Sequence, residues 1–531
     1  MTKKSVSPAS GNGSGKAGGT AQQPMSKNVL SRYPATIYGG VVMALMWVIY
    51  AVMLRHVLIY GEQHSFFVFS SDFLSTEYYF EGFRELLTDF LLQFSYYPAL
   101  GAGVIALGMA VIYGCVEWVL RRVPRMPVAV AIAAGVAVAT GLMIYTSTIE
   151  HHFITFGGWL MWSVIGWVIA LIIRLLAGKR VKISQCGPKG AIVSLCLTAV
   201  IIVGGTVYSR LKVYSEIEAV AITVEDEYIR HHDEKVVEIA DKFLKNGPQA
   251  HVVVMFRNLA LLRQGKLAGR VMELPMYFGS KGLYLPWEGM VLKREYAVHY
   301  YELIGHANEA LHWHSEALVD QGETGRTLEG LARYNIITGH DKVAQRHINK
   351  LKKTLFYNKR AKQLEKYVGT GEVPGTKYFF KDMPDSLSRF LYHQIIEETG
   401  YMNTVMPGDP MLRELYLVAA LLDNDIQHFQ YALNMFGLTD PAKMPRLYRE
   451  AVALSVVIDI NHSWQNEGHD IPGPEVAAAR RFMQAYNAPN RNKVALKAAF
   501  GDTYWYYYFF ISPNRPGAQP QASERVYNQA S

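Results

Sequence analysis

ALGAGVIALGMAVIYGCVEWVL, residues 99–120, runs for twenty-two residues with a single charged side chain, Glu117, close to its end. About 20 apolar residues rising 1.5 Å each cross the ~30 Å hydrocarbon layer of a bilayer, so this stretch reads as a transmembrane helix. Four more stretches of the same kind surround it, at 36–56, 127–149, 153–176 and 190–208. None holds Asp, Glu, Lys or Arg at its centre, where an ionisable group would mark a proton or ion path. The first stretch follows a long polar tail and lacks a small-x-small cleavage site, so it is expected to stay as an anchor. Residues 1–33 and 513–531 lack the apolar content to fold and are expected to be disordered tails.

Beyond residue 209 the composition changes. The chain as a whole is 50% hydrophobic and only 18% charged, yet no apolar run in residues 210–531 approaches 18 residues. The net charge of +8 does not lie there either: from Arg210 onward there are 38 basic and 37 acidic residues. A nucleic-acid surface needs basic residues clustered on the folded domain, so this balance argues against nucleic acid as a partner. The three cysteines, Cys115, Cys186 and Cys196, all lie in or beside the apolar half, which excludes a disulfide framework in the soluble half.

The basic excess instead reports topology. Lys3, Lys4, Lys16, Lys27 and Arg32 precede the first span; Arg121, Arg122 and Arg125 follow the second; Lys179, Arg180, Lys182 and Lys189 lie between the fourth and fifth. Lys and Arg in short loops stay on the cytoplasmic side. The alternate loops are poor in them, so five spans place the N-terminus in the cytoplasm and the soluble half outside it.

Within the spans, Ala102, Ala106, Ala110 and Gly114 recur every four residues, as do Ala131, Gly135 and Ala139. Such spacing puts small side chains on one helix face, where neighbouring backbones approach closely. In the soluble half, Leu303, Gly305 and Ala310 recur as Ile337, Gly339 and Ala344, each 34 residues later. That period belongs to helical hairpin repeats in which Gly closes one helix and a small residue admits the next. Ala317 takes another small position of the same unit. The segment 286–357 therefore resembles a tetratricopeptide-like array, without its usual Trp and closing Pro.

DFLLQFSYYPALGA, residues 89–102, together with residues 301–357, resembles an uncharacterised family of bacterial inner-membrane proteins, a domain of unknown function. The resemblance implies N-terminal spans followed by a helical-repeat domain and brings no activity with it. A narrower resemblance is to polytopic lipid-linked glycosyltransferases, which carry catalytic carboxylates on the first outer loop. Here Asp72, Glu77 and Glu81 occupy that loop, but five spans and the lack of an Asp-x-Asp pair depart from the pattern.

No phosphate-binding glycine loop, Gly-x-Ser-x-Gly elbow or His-Glu-x-x-His is present. His312 and His314 are two apart and face different sides of a helix, unlike the i, i+4 pair of a helical zinc site. The sequence thus predicts no cofactor, no metal and no catalytic constellation. The expected fold is all-α: a polytopic transmembrane bundle of about five spans over 34–209, then a tetratricopeptide-like α-solenoid over 210–512. The expected role is a multi-pass, membrane-anchored scaffold of the bacterial inner membrane. Its array faces the periplasm, and its partners are the lipid bilayer and an envelope protein or peptide. The alternative is a membrane transferase acting on a lipid-linked or envelope substrate through Asp72, Glu77 and Glu81.

Overall fold

The computed structural model describes residues 34–80, 82–149, 154–176, 188–286, 294–377, 395–458, 464, 468–489 and 491–517. Among them every regular element is helical and none is a strand. Five helices are long and apolar enough to cross a membrane. They are α1 (Pro34–Val48, continued by a π-turn at Ile49–Met53), α5 (Pro98–Leu120), α6 (Val128–Tyr145), α7 (Ile154–Leu176) and α8 (Pro188–Lys212). Pro98 opens α5, where its missing N–H costs no hydrogen bond. Helix α5 is the hub, touching α1, α6 and α7, while α8 lies on α6.

Dispersion contacts between close backbones hold such a bundle, because lipid tails offer no hydrophobic drive between helices. Ala102, Ala106, Ala131, Gly135 and Ala139 are buried, whereas Ala110 and Gly114 are half-buried. The reason is rotation. A step of four residues turns a 3.6-residue helix about 40° too far, so three steps carry Gly114 off the contact face. The buried stripe on α5 is Ala102, Ile105, Ala106, Met109, Ile112 and Tyr113, in which Ala102, Ala106, Met109 and Tyr113 follow steps of four, three and four. A Cβ on Gly135 would lie 2.9 Å from the Tyr113 ring, whereas one on Gly114 would touch nothing. Hydrogen bonds between helices add to this: Tyr50 with Thr146 at 2.6 Å, and Ser209 with Ser147 at 2.7 Å. Glu117, near the end of α5, is buried against Arg121 at 3.2 Å.

Between α1 and α5 lie three short helices, α2 (Arg55–Gln63), α3 (Ser71–Phe80) and α4 (Phe83–Leu92). The soluble half begins with α9 (Glu216–Ile229), α10 (Asp233–Asn246) and α11 (His251–Arg263). It continues with α12 (Arg294–Ile304), α13 (Ala307–Gln321), α14 (Gly325–Ile337), α15 (Asp341–Leu351) and α16 (Asn358–Leu364). The last block holds α17 (Ile395–Val405), α18 (Pro410–Leu422), α19 (Ile426–Met435), α20 (Arg446–Val457), α21 (Gly473–Asn487) and α22 (Lys493–Phe500). From α12 to α15 each helix packs on the next, as do α10 on α11 and α18 on α19.

Two of the turns between these helices share one geometry. Gly305 (φ 81°) and Gly339 (φ 79°) are left-handed, and the N–H of the following residue donates back to Tyr301 and Asn335 at 3.0 and 2.8 Å. This is the helix-ending motif in which a left-handed residue closes the last turn. It recurs at His231 and Gly265, again 34 residues apart, where Lys266 donates to Leu261 at 2.9 Å. The five-residue step from each glycine reaches Ala310 and Ala344, both fully buried. Leu303 is partly buried against the core, and Ile337 and Ala317 are buried. Gly339→Val is expected to lower the stability of the soluble half by about 1–2 kcal/mol, the cost of a left-handed conformation for a residue with a Cβ. No atom stands within 4 Å of that Cβ, so a lowered melting temperature would report backbone strain alone.

The terminal aromatic run ends inside the core. Tyr504, Trp505, Tyr506 and Tyr507 are buried, and the hydroxyls of Tyr504 and Tyr507 donate to the carbonyls of Leu421 and Leu422 at 3.1 and 2.6 Å. Those bonds add to the cap at the C-terminus of α18, where the Asn424 N–H also donates to Leu421 O at 3.1 Å.

The hydrophobic core of the bundle and that of the soluble half are separate clusters. The border between them is nevertheless crossed by the first loop. Phe66 and Val68 belong to the soluble core, Phe69 N–H donates to Lys353 O at 3.0 Å, and Phe356 stacks on Tyr96 with ring centroids 5.4 Å apart. This loop and the soluble half thus lie at one end of the bundle.

Candidate functional site

Glu225, Asp226 and Glu227 are consecutive in α9, and all three are buried. At about 100° per residue their side chains fan over roughly 200° of the helix surface, so each must find its own cations. Glu225, with no exposed side-chain surface, meets His299 Nε2 at 3.1 Å and the Arg326 guanidinium, and accepts from Gln63 Nε2 at 3.4 Å. Asp226 accepts from Arg55 at 3.0 Å and Arg230 at 2.9 Å. Glu227 meets His232 Nδ1 at 2.6 Å and Arg55 at 3.9 Å. Arg55 and Gln63 are the two ends of α2, the helix that leaves the first span. The membrane bundle is thus held to the soluble half by buried charge.

The chain of groups runs further. His299 Nδ1 lies 3.5 Å from Glu302, and Glu302 meets His314 Nε2 at 3.1 Å. Tyr357 donates its hydroxyl proton to Glu62 at 2.9 Å. Two glycines of α14 make room for these partners: a Cβ on Gly325 would meet the Tyr357 ring, and one on Gly330 the His314 ring. Thr324 caps α14, accepting from the Thr327 N–H at 3.1 Å, and so sets Arg326 in its first turn.

Burial opposes the charge of Glu225, but Arg326 and His299 outweigh it and bring the carboxyl down to about 2. Burial likewise opposes Glu302, and His299 and His314 hold it well below the carboxylate range. Burial lowers His299, yet Glu225 and Glu302 raise it above an ordinary histidine. Its Nε2 also lies 2.8 Å from an Arg326 nitrogen, so it donates to Glu225 or accepts from Arg326. Glu62 and Glu295 behave oppositely: burial pushes each up to about 7, with nearby Asp226 and Glu225 respectively adding to the rise.

These shifts set a pH dependence. Glu62 and Glu295 keep protons in the folded state that the unfolded chain has released, so their contribution falls as pH rises from 4.5 to about 7. The raised His299 acts in the same direction, full below its ordinary value of 6.5 and lost through its raised one. Glu225 acts the other way, full above 4.5 and lost as pH falls toward about 2. The melting temperature of the full-length protein is therefore expected to fall between about pH 5.5 and 7.5, and less steeply in Glu62→Gln.

The carboxylates singled out in the sequence lie elsewhere. Asp72 is exposed in the first turn of α3. Glu77 belongs to α3, and Glu81 lies outside the described residues, as do Glu150, His151, His152 and Cys186. Among the described residues no three His, Cys, Asp or Glu side chains are placed to hold a metal. The buried network went unread in the sequence although it left a signal: three adjacent acids in a helix with Ala219, Ile222, Val224 and Tyr228 around them.

The model of DUF6057, a family of unknown function, matches residues 31–180 and 129–511. No curated protein matches the chain, and no solved structure does. The matched segments take in the spans, α2 with its ionic contacts and the soluble helices alike. The chain belongs to DUF6057.

Proposed function

We propose that this chain is a membrane-anchored scaffold whose tetratricopeptide-like helical repeats present a surface to an envelope protein or peptide. The observation that carries the reading is the clamp of Arg55, Gln63, Glu225 and Arg326, which fixes the soluble half to the helix leaving the first span. Such a joint suits a domain held at a set attitude to the bilayer. The recurring left-handed turns at His231, Gly265, Gly305 and Gly339 support the repeat reading, and stacked hairpins offer extended surfaces to partners. In this proposal the protein lies in a bacterial inner membrane with its N-terminus in the cytoplasm and its repeats in the periplasm.

Two experiments test it. A periplasm-active phosphatase fused after Tyr214 is expected to be active and a cytoplasm-only fluorescent protein there dark; the reverse would move the repeats into the cytoplasm. Photo-crosslinkers at Val319 and Val343, exposed on α13 and α15, are expected to capture one protein from intact membranes. Alanine at Asp72, Glu77 and Glu81 is expected to leave that capture and the phenotype intact. Loss of phenotype with capture intact would favour the transferase instead.

A further inference from the structure

Helix α4 rests on the first turns of α7. Gly157 and Gly158 allow it: a Cβ on Gly157 would lie 2.6 Å from the Arg84 carbonyl oxygen, and one on Gly158 2.7 Å from Arg84 Cδ. The Gly157 N–H donates to Thr88 Oγ1 at 3.1 Å and fixes the crossing. On the other side, Gly108 of α5 receives the Phe156 ring, 2.5 Å from where its Cβ would be. Wedged between α4 and α5 in this way, α7 leaves a cavity of 550 Å³ beside α5, closed further along where Trp118 and Trp167 meet with ring centroids 5.8 Å apart. Its walls are apolar, with Phe83 and Leu87 from α4, Val104 and Val111 from α5, and Met161 and Val164 from α7.

The cavity opens sideways. Phe83 and Leu107 on its rim are about half exposed, at 51% and 52%, and no residue of α7 from Trp159 onward is buried. Its residues on α5 and α7 run from the halves nearest the soluble domain to the middle of those helices. From Val104 to Val111 the groove follows α5 for about 10 Å, most of one leaflet of a ~30 Å hydrocarbon core. At that depth the surrounding medium is hydrocarbon. At the interfacial end, beside Phe83, the Arg84 side chain is half exposed and paired with Glu85. A guanidinium there suits a phosphate oxygen.

We propose that the groove between α4, α5 and α7 binds one acyl chain of a membrane phospholipid, in the leaflet beside the soluble domain, with Arg84 toward the headgroup phosphate. The site is independent of the scaffold reading and stands or falls separately from it.

Full-length protein in nanodiscs of phosphatidylethanolamine and phosphatidylglycerol, doped with phosphatidylethanolamine bearing a mid-chain diazirine, tests this directly. After illumination, adducts are expected on residues 104–111 and 160–165 several-fold above those on the exposed face of α8, Ile192 to Val203. Filling the groove with Val111→Phe and Val164→Phe is expected to bring its labelling down to the level of α8, with α8 unchanged. Should that double variant fail to fold, Val104→Phe alone is expected to lower groove labelling in the same direction. Equal labelling of groove and α8 in the unaltered protein would mean ordinary surrounding lipid and overturn the proposal. So would groove labelling insensitive to filling.

Discussion

Arg326→Ala is expected to destabilise the full-length protein by about 3–5 kcal/mol, the cost of leaving a buried charge without its partner. The charge left behind is Glu225, whose side chain has no exposed surface. His299 and Gln63 would remain near it, but one is a neutral or singly charged ring and the other an amide. A carboxylate so placed either stays ionised at great cost or takes up a proton. Either course loosens α2 from α9, so proteolysis of the loop at 63–71 should speed up along with the fall in melting temperature. Replacing both members, Arg326→Met with Glu225→Met, is expected to recover part of the loss, because it removes the unpaired charge and leaves only His299 and the Gln63 amide without Glu225. An unchanged melting temperature for Arg326→Ala would show that the clamp does not bear on stability.

Trp313→Ala is expected to cost about 3–5 kcal/mol, as large-to-small changes of buried aromatic residues do. Trp313 is 1% exposed in the middle of α13, with its ring stacked on Tyr301 at a centroid distance of 6.1 Å. Helix α13 lies between α12 and α14, so the cavity would open where three stacked helices meet. In a stacked array each unit is stabilised chiefly by its neighbours, and loss at one interface spreads. Thermal melting followed by circular dichroism is expected to show one lowered, broadened transition. A transition lowered by less than about 1 kcal/mol would mean that the neighbouring helices collapse into the space.

The membrane half was legible because its code is one-dimensional. Length and apolarity alone pick out the helices near 99–120 and 190–208, which the structure bounds at Pro98–Leu120 and Pro188–Lys212. Contact faces were less so: a fixed step of four led to Gly135, a close approach, and to Gly114, which is none, while further close approaches fall at Gly101, Gly108, Gly157 and Gly205. Those depend on which helix lies opposite, and no single helix states its neighbour. Gly305 and Gly339 were readable as a pair because the same residue recurs. The equivalent turn at His231 was not, because histidine at φ 59° gives no compositional hint of a left-handed conformation.

By itself the sequence determined that the chain is helical, that about five stretches can cross a bilayer, and that a 34-residue period runs through 303–344. All of these are local or periodic properties, written in runs and spacings of residue types. Only the tertiary structure decided that Gln63, Glu225, His299 and Arg326, separated by up to 263 positions, form one buried network. The same holds for the opening between α5 and α7. A buried carboxylate and an exposed one are the same letter in the sequence. What separates Glu225 from Asp72 is the desolvation imposed by distant segments and the cations those segments bring, and neither exists until the chain has folded.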